Sequence, residues 1–139
     1  MKKVEPYLRK AFYYETDQMG VIHHSNYIRW YEEARLDFLD KIGIPYDEIE
    51  KNGIMIPVLN VSSNFLEFVK YKEEVRIEVK IVKFNGVRMN IEYSIYNNET
   101  NTLCNTGTSS HCFIDNNYKV TRLKGKYDSL YNKFMEYTE

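Results

Sequence analysis

Cysteine, proline, glycine and tryptophan are all scarce in this chain, with two, three, six and one copies among 139 residues. Cys104 and Cys112 fit on one strand, where eight residues span roughly 26 Å at ~3.3 Å each, so a bridge between them is excluded. Two free thiols in a reducing compartment are expected instead. There is no Cys-x-x-Cys, and the three histidines include the adjacent pair His23 and His24, with His111 far along the chain. A catalytic zinc usually takes three protein ligands, and sequence neighbours seldom share one ion. No metal and no other cofactor is therefore expected.

Long apolar runs are missing too. Nothing is long enough to span a bilayer, and Met1 to Glu5 holds no apolar export segment. A cytoplasmic protein with no membrane partner is the expectation. A basic excess is also lacking: 19 Lys and Arg against 20 Asp and Glu give a net charge of −1. General nucleic-acid binding needs a basic face, so it is excluded as a class. Linkers, repeats and low-complexity tracts are absent, and residues 1–139 fit one domain.

What is abundant is aromatic: 13 Tyr, 7 Phe and 1 Trp make up 15% of the chain. Aromatics carry much of the buried area in β-rich cores and in subunit interfaces. A first strand is expected within residues 5–15, from Tyr7, Leu8, Phe12, Tyr13 and Tyr14. A loop follows from Asp17 to Ser25. Tyr27, Trp30, Tyr31, Ala34, Phe38 and Ile42 then recur at spacings of three and four, which predicts an amphipathic helix over 26–42. Ser25 or Asn26 is expected to cap it, and Gly43 to end it. Glu32 and Arg35 are spaced to pair on its outer face, and Glu32 and Glu33 read as solvated charges.

Beyond Ile54 the period changes to two. Val75, Ile77, Val79 and Ile81 alternate with Glu74, Arg76, Glu78 and Lys80, the signature of a half-buried strand. Asn85-Gly86 is a hairpin signal. Val87 to Ile95 returns, and Leu103 to Ile114 forms a further strand with small residues at 107–110. Residues 126–137 read as a terminal helix. One helix amid several antiparallel strands covers one face of a sheet that curls around it, an α+β fold.

The loop carries the chemistry. Asp17 follows the first strand, Gly20 permits a turn closed to other residues, and His23-His24 lead into the helix. The first N–H groups of a helix have no partners within it and favour negative charge. An acyl carbonyl oxygen gains such charge as its carbon is attacked, so donors there stabilise the transition state. A carboxylate at Asp17 can attack the carbonyl or deprotonate water. Asp17 alone also fits a plain turn residue. Tyr27 suits the helix core and, through its hydroxyl, a pocket wall. His23 suits the pocket entrance or a loop hydrogen bond. Ser109, Ser110, Cys104 and Cys112 read as structural. Lys70, Lys72, Lys83, Arg88 and Arg122 are candidates for binding phosphates, Arg88 first among them.

Asp17, Gly20, Val21, Ile22 and Tyr27 stand at the spacing Asp-x-x-Gly-[Val/Ile]-[Val/Ile/Phe]-x-x-x-x-Tyr. Asn105 to Asp115, the Val75-Arg76-Ile77 strand and Glu33-Ala34-Arg35 form further matching blocks. In these the chain resembles the 4-hydroxybenzoyl-CoA thioesterase-like branch of the hotdog fold, over about residues 7–123. The resemblance implies a hotdog fold, an acyl-CoA or acyl carrier protein substrate, and a homodimer or homotetramer whose sheets join edge to edge. It puts the catalytic carboxylate on Asp17 and the carbonyl-polarising backbone N–H on His24, with Gly20, Val21, His23 and Tyr27 against the substrate. The segment Phe65 to Tyr71 departs from it, lacking the proline many relatives carry before the third strand. Two other functions stay open at this level: a hydroxyacyl-thioester dehydratase and an acyl-CoA-binding protein without turnover.

Overall fold

The computed structural model describes residues 2–139. Five strands, β1 (Tyr7–Lys10), β2 (Val58–Phe65), β3 (Glu74–Phe84), β4 (Arg88–Asn97) and β5 (Leu103–Cys112), form one antiparallel sheet in the order β1-β3-β4-β5-β2. The long helix α1 (Ser25–Lys41) lies against its inner face. This is the expected α+β hotdog arrangement. Alternation decides which side of each strand faces the helix. Val75, Ile77 and Ile81 of β3, and Met89, Ile91, Tyr93 and Ile95 of β4, are buried. Register irregularities at Ile81/Lys83 and Ile95/Tyr96 bend the sheet around α1. The hairpin between β3 and β4 turns at Asn85-Gly86 as predicted, with Gly86 at φ +87.

The stripe on α1 packs as its spacing predicts. Tyr27, Trp30, Tyr31, Ala34 and Phe38 are buried. Tyr31 stacks on Tyr93 at 4.3 Å between ring centroids, and its hydroxyl bonds Asn105 and Ser63. Its ring also occupies the space where a Cβ on Gly107 would sit. The small residues of β5 are thus a seat for a helix tyrosine. Gly107→Ala is expected to cost about 1–3 kcal/mol through overpacking, read as a lower urea midpoint at unchanged m-value.

Several expectations need correction. The first strand ends at Lys10, and Tyr13–Glu15 form a 3-10 turn that leaves Tyr13 and Tyr14 exposed. The cause is Glu15, whose side chain turns inward to meet Arg9 and Trp30. Neither Ser25 nor Asn26 caps α1. The His23 Nδ1 accepts the Ser25 N–H at 3.2 Å, and the Asn26 amide donates instead to the Glu15 carbonyl at 2.9 Å. Arg35 donates to the Tyr93 hydroxyl at 3.0 Å rather than pairing with Glu32. Glu33 is no free charge: it accepts from Tyr7 and Arg9.

Two further helices complete the chain. α2 (Tyr46–Lys51), not evident from periodicity, is one short stretch behind Pro45 that buries Ile49. α3 (Asp128–Tyr137) falls where the terminal helix was predicted and buries Phe134 among Phe84 and Phe113. Cys104 and Cys112 are free, buried and on β5 together. Among the described residues, no helix is long and apolar enough to cross a membrane.

Candidate active site

The 17–24 loop is built on Glu15. Its carboxylate takes two N–H groups of Arg9 at 2.9 and 2.8 Å, the Phe12 N–H at 2.9 Å and the Trp30 indole N–H at 2.9 Å. Its carbonyl takes the His23 N–H at 2.8 Å and the Asn26 amide. One residue therefore fixes the end of β1, the return of the loop and the start of α1. Burial works against the Arg9 charge, but the hydrogen bonds and charges of Glu33 and Glu15 outweigh it and hold the guanidinium protonated more firmly than usual.

Two residues on, Asp17 opens a tight turn. The Gly20 N–H donates to the Asp17 carbonyl at 3.1 Å, and the Asp17 N–H to the Val21 carbonyl at 2.8 Å. Gly20 sits at φ +81 with open space where a side chain would point, so glycine is needed for its backbone and not for room. The Asp17 Oδ1 accepts the Met19 N–H at 2.8 Å and the Val21 N–H at 3.4 Å. Its Oδ2 makes no hydrogen bond to protein, and Asp17 enters no ion pair, among the described residues. One oxygen holds the turn and the other is uncommitted.

Asp17 lines a cleft of about 280 Å³ with Val21, His24, Tyr27, Phe65 and Phe68. The Ile22 N–H donates to the Val69 carbonyl at 2.8 Å, which ties the loop to the segment after β2. Phe65, Leu66 and Phe68 thereby become a cleft wall, a role that the sequence pattern did not reveal in them. His24 is the residue before the first turn of α1, and its own side chain makes no cap hydrogen bond; the Ser25 N–H goes to His23 Nδ1. Its backbone N–H finds no acceptor among the described residues. His23 and His24 stack at 4.1 Å between centroids. Tyr27 is buried, and burial above all pushes its phenol up to about 12, so it stays an O–H.

Asp17, Val21, His24 and Tyr27 thus come together in one cleft. Gly20 shapes the turn beside it, and His23 holds the helix start through Ser25. Arg88 is elsewhere. It pairs with Cys112 at one end of β4 and β5, whereas Phe65 pairs with Asn105 at the other. Seven residues of strand separate the two ends, roughly 23 Å. Within one chain Arg88 does not reach the cleft.

A carboxylate with one oxygen outside any hydrogen bond to protein, sharing a cleft with His24 and its unpartnered backbone N–H, defines a class of protein when set in this fold. The chain belongs to the thioesterase-like superfamily, whose family model matches residues 13–131; by class it is a thioester hydrolase. It is 34% identical over 103 residues to a provisionally named acyl-CoA thioesterase, YneP, of Bacillus subtilis, covering 74% of each chain. It is 30% identical to a 1,4-dihydroxy-2-naphthoyl-CoA hydrolase of Prochlorococcus marinus, over 81% of this chain and 77% of that one. A crystal structure of a DHNA-CoA thioesterase from Staphylococcus aureus superposes with a TM-score of 0.89 at 33% identity, covering 95% of this chain and 89% of the other.

Proposed function

We propose that the protein hydrolyses an acyl-CoA thioester, with an acyl carrier protein thioester as the alternative carrier, and that Asp17 and the His24 N–H do the chemistry. The observation that carries this reading is the split commitment of the Asp17 carboxylate, one oxygen holding the turn and one without a protein partner, in a residue that lines the cleft with His24. The substrate carbonyl would accept the His24 N–H at the positive end of α1. Two routes serve the free oxygen. It takes a proton from water, whose oxygen bonds the acyl carbon as the C–S bond breaks, and the thiolate then recovers the proton. Otherwise it bonds the acyl carbon itself, expels the thiolate, and the mixed anhydride is hydrolysed. Either way water is consumed and acid and thiol leave. Gly20 and Val21 shape the floor, His23 the entrance, and Tyr27 the inner wall. Thiol release from a panel of acyl-CoA esters of different size is the direct test, and no release from any of them would defeat the reading.

The proposed assembly rests on β2. It is an eight-residue edge strand flanked by exposed apolar side chains, Val58, Leu59, Phe65 and Leu66. An uncovered edge and patch of this kind call for a partner. Self-pairing of β2 in antiparallel sense makes a homodimer, and two dimers a tetramer. Inversion of the strand brings the Arg88 end of the second copy toward the Asp17 end of the first, where it can meet coenzyme A phosphates. Arg88→Ala is then expected to raise KM for a CoA ester several-fold and leave kcat unchanged. KM for a short thioester without the nucleotide should not move; an equal rise for both would remove Arg88 from the phosphate site. Free, buried Cys104 and Cys112 fit a cytoplasmic setting.

A further inference from the structure

Three backbone N–H groups open α1, those of His24, Ser25 and Asn26, and His23 takes two of them. The Asn26 N–H donates to the His23 carbonyl at 3.0 Å. The Ser25 N–H donates to His23 Nδ1 at 3.2 Å. The His24 N–H alone of the three has no acceptor among the described residues. His24 already has helical dihedrals, φ −55 and ψ −29, so its N–H is one of the outward donors of the helix start. His23 is fixed from behind as well. Its own N–H donates to the Glu15 carbonyl at 2.8 Å, and its ring stacks on His24 at 4.1 Å between centroids, with 29° between the planes. An imidazole thus fills the place that Ser, Thr, Asp or Asn takes at most helix starts.

That acceptor role fixes the state of the ring. A backbone N–H only donates, so Nδ1 carries no proton where it meets Ser25, and the neutral ring holds its one proton on Nε2. The Ser25 hydroxyl lies 2.9 Å from the same nitrogen and is free to donate as well. An Asn or Ser cap accepts at every pH, whereas a histidine cap accepts only while neutral. Protonation puts an N–H on Nδ1 against the Ser25 N–H and adds a positive charge at the positive end of α1. The ring must then turn away, and the first turn loses the hold that leaves His24 as the open donor. His24 is the titratable group stacked on the ring. The Glu15 carboxylate, on the 3-10 turn, is committed to Arg9. Asp17 and Glu67 line the cleft with His24, and neither makes an ion pair with His23 among the described residues. From β2 the side chain facing His24 is the apolar Phe65. No salt bridge therefore holds the charged ring where the neutral one sits.

We propose that His23 is a positioning residue for the hydrolysis, an inference that rests on the function proposed above: as a neutral cap it holds the His24 N–H in place for the acyl carbonyl, and when protonated it releases the helix start and turnover falls. The active form is the one present on the alkaline side. The acid limb of the rate profile in the histidine range then belongs to His23 and not to Asp17.

The pH profile of kcat/KM with the benzoyl thioester of N-acetylcysteamine, which carries no phosphate to titrate, is the test. The wild-type chain is expected to lose about tenfold between about pH 8 and about pH 5.5, the interval in which a histidine changes charge. In His23→Asn the amide oxygen accepts the Ser25 N–H under both conditions, and the ratio of the two rates should come close to one, whatever the plateau. His24→Asn keeps the backbone N–H and should keep the tenfold step. Spectra of the wild-type chain need no substrate. Imidazole ¹⁵N shifts near pH 8 should show the Nε2-protonated tautomer for His23, and the Ser25 amide resonance should titrate together with that ring. An unchanged step in His23→Asn, loss of the step in His24→Asn, an Nδ1-protonated His23 ring, or a Ser25 amide that ignores the titration overturns the proposal. A chain that gives the expected spectra and hydrolyses no thioester fails the function proposed above, and the gate with it, while the cap stands. One that hydrolyses thioesters with the same acid step in His23→Asn fails here alone.

Discussion

Asp17→Asn is expected to lower kcat for thioester hydrolysis about a thousandfold, within the range for loss of a positioned general base, while KM changes little. The substitution is nearly isosteric. An asparagine Oδ1 can still accept the Met19 N–H that the aspartate accepts at 2.8 Å, so the turn is retained. What is lost is the second oxygen. An amide nitrogen cannot take a proton from water at neutral pH and cannot attack a thioester. A fall in kcat at constant KM marks an interaction that matters in the transition state alone. Steady-state thiol release together with a thermal unfolding curve checks it. Undiminished hydrolysis by a folded Asp17→Asn chain removes Asp17 from the chemistry.

Glu15→Gln is expected to destabilise the protein by about 3–5 kcal/mol, the cost of breaking a buried pair from one side. Arg9 and Glu15 side chains are 9% and 3% exposed, and their contact is 2.8 Å. Glutamine keeps one acceptor oxygen and turns an NH₂ group toward the guanidinium, leaving a buried charge short of its partner. Glu33, 35% exposed, retains a hold on Arg9 Nε and softens the loss. Urea unfolding measures the effect. The double change Arg9→Met with Glu15→Leu should be more stable than Glu15→Leu alone, because no charge is then stranded. Equal stability of the two would show that the pair is not coupled. Turnover should fall in Glu15→Gln as well, since the loop carrying Asp17 hangs on the same residue.

Those two residues illustrate what is readable in a sequence. Asp17, which alone fits a plain turn residue, was readable as a candidate because Gly20, Val21, Ile22 and Tyr27 follow it at the spacing of the family the chain resembles. Glu15, two positions earlier, was not. An acidic residue among tyrosines normally points to water, and nothing local says that Arg9, Trp30 and the Phe12 N–H will converge on it. The same blindness applied to Glu33, Arg35 and the cap of α1. Glu33 takes Tyr7 and Arg9 in place of water, Arg35 takes Tyr93 in place of Glu32, and the Ser25 N–H goes to His23 in place of a Ser25 or Asn26 cap. Phe65, Leu66 and Phe68 became a cleft wall only when Ile22 bonded to Val69.

Periodicity alone determined the helix over the Tyr27 to Phe38 stripe, the alternating strands either side of Asn85-Gly86, and the loop between first strand and helix. Backbone geometry and burial act residue by residue there, and so leave a repeat in the chain. Tertiary structure alone decided that Glu15 is a buried keystone, that Arg88 lies at the opposite end of the sheet from the Asp17 cleft, and that the Tyr31 ring fills the space beside Gly107. Those outcomes depend on which charges and dipoles meet after folding, and a one-dimensional pattern holds no record of such meetings.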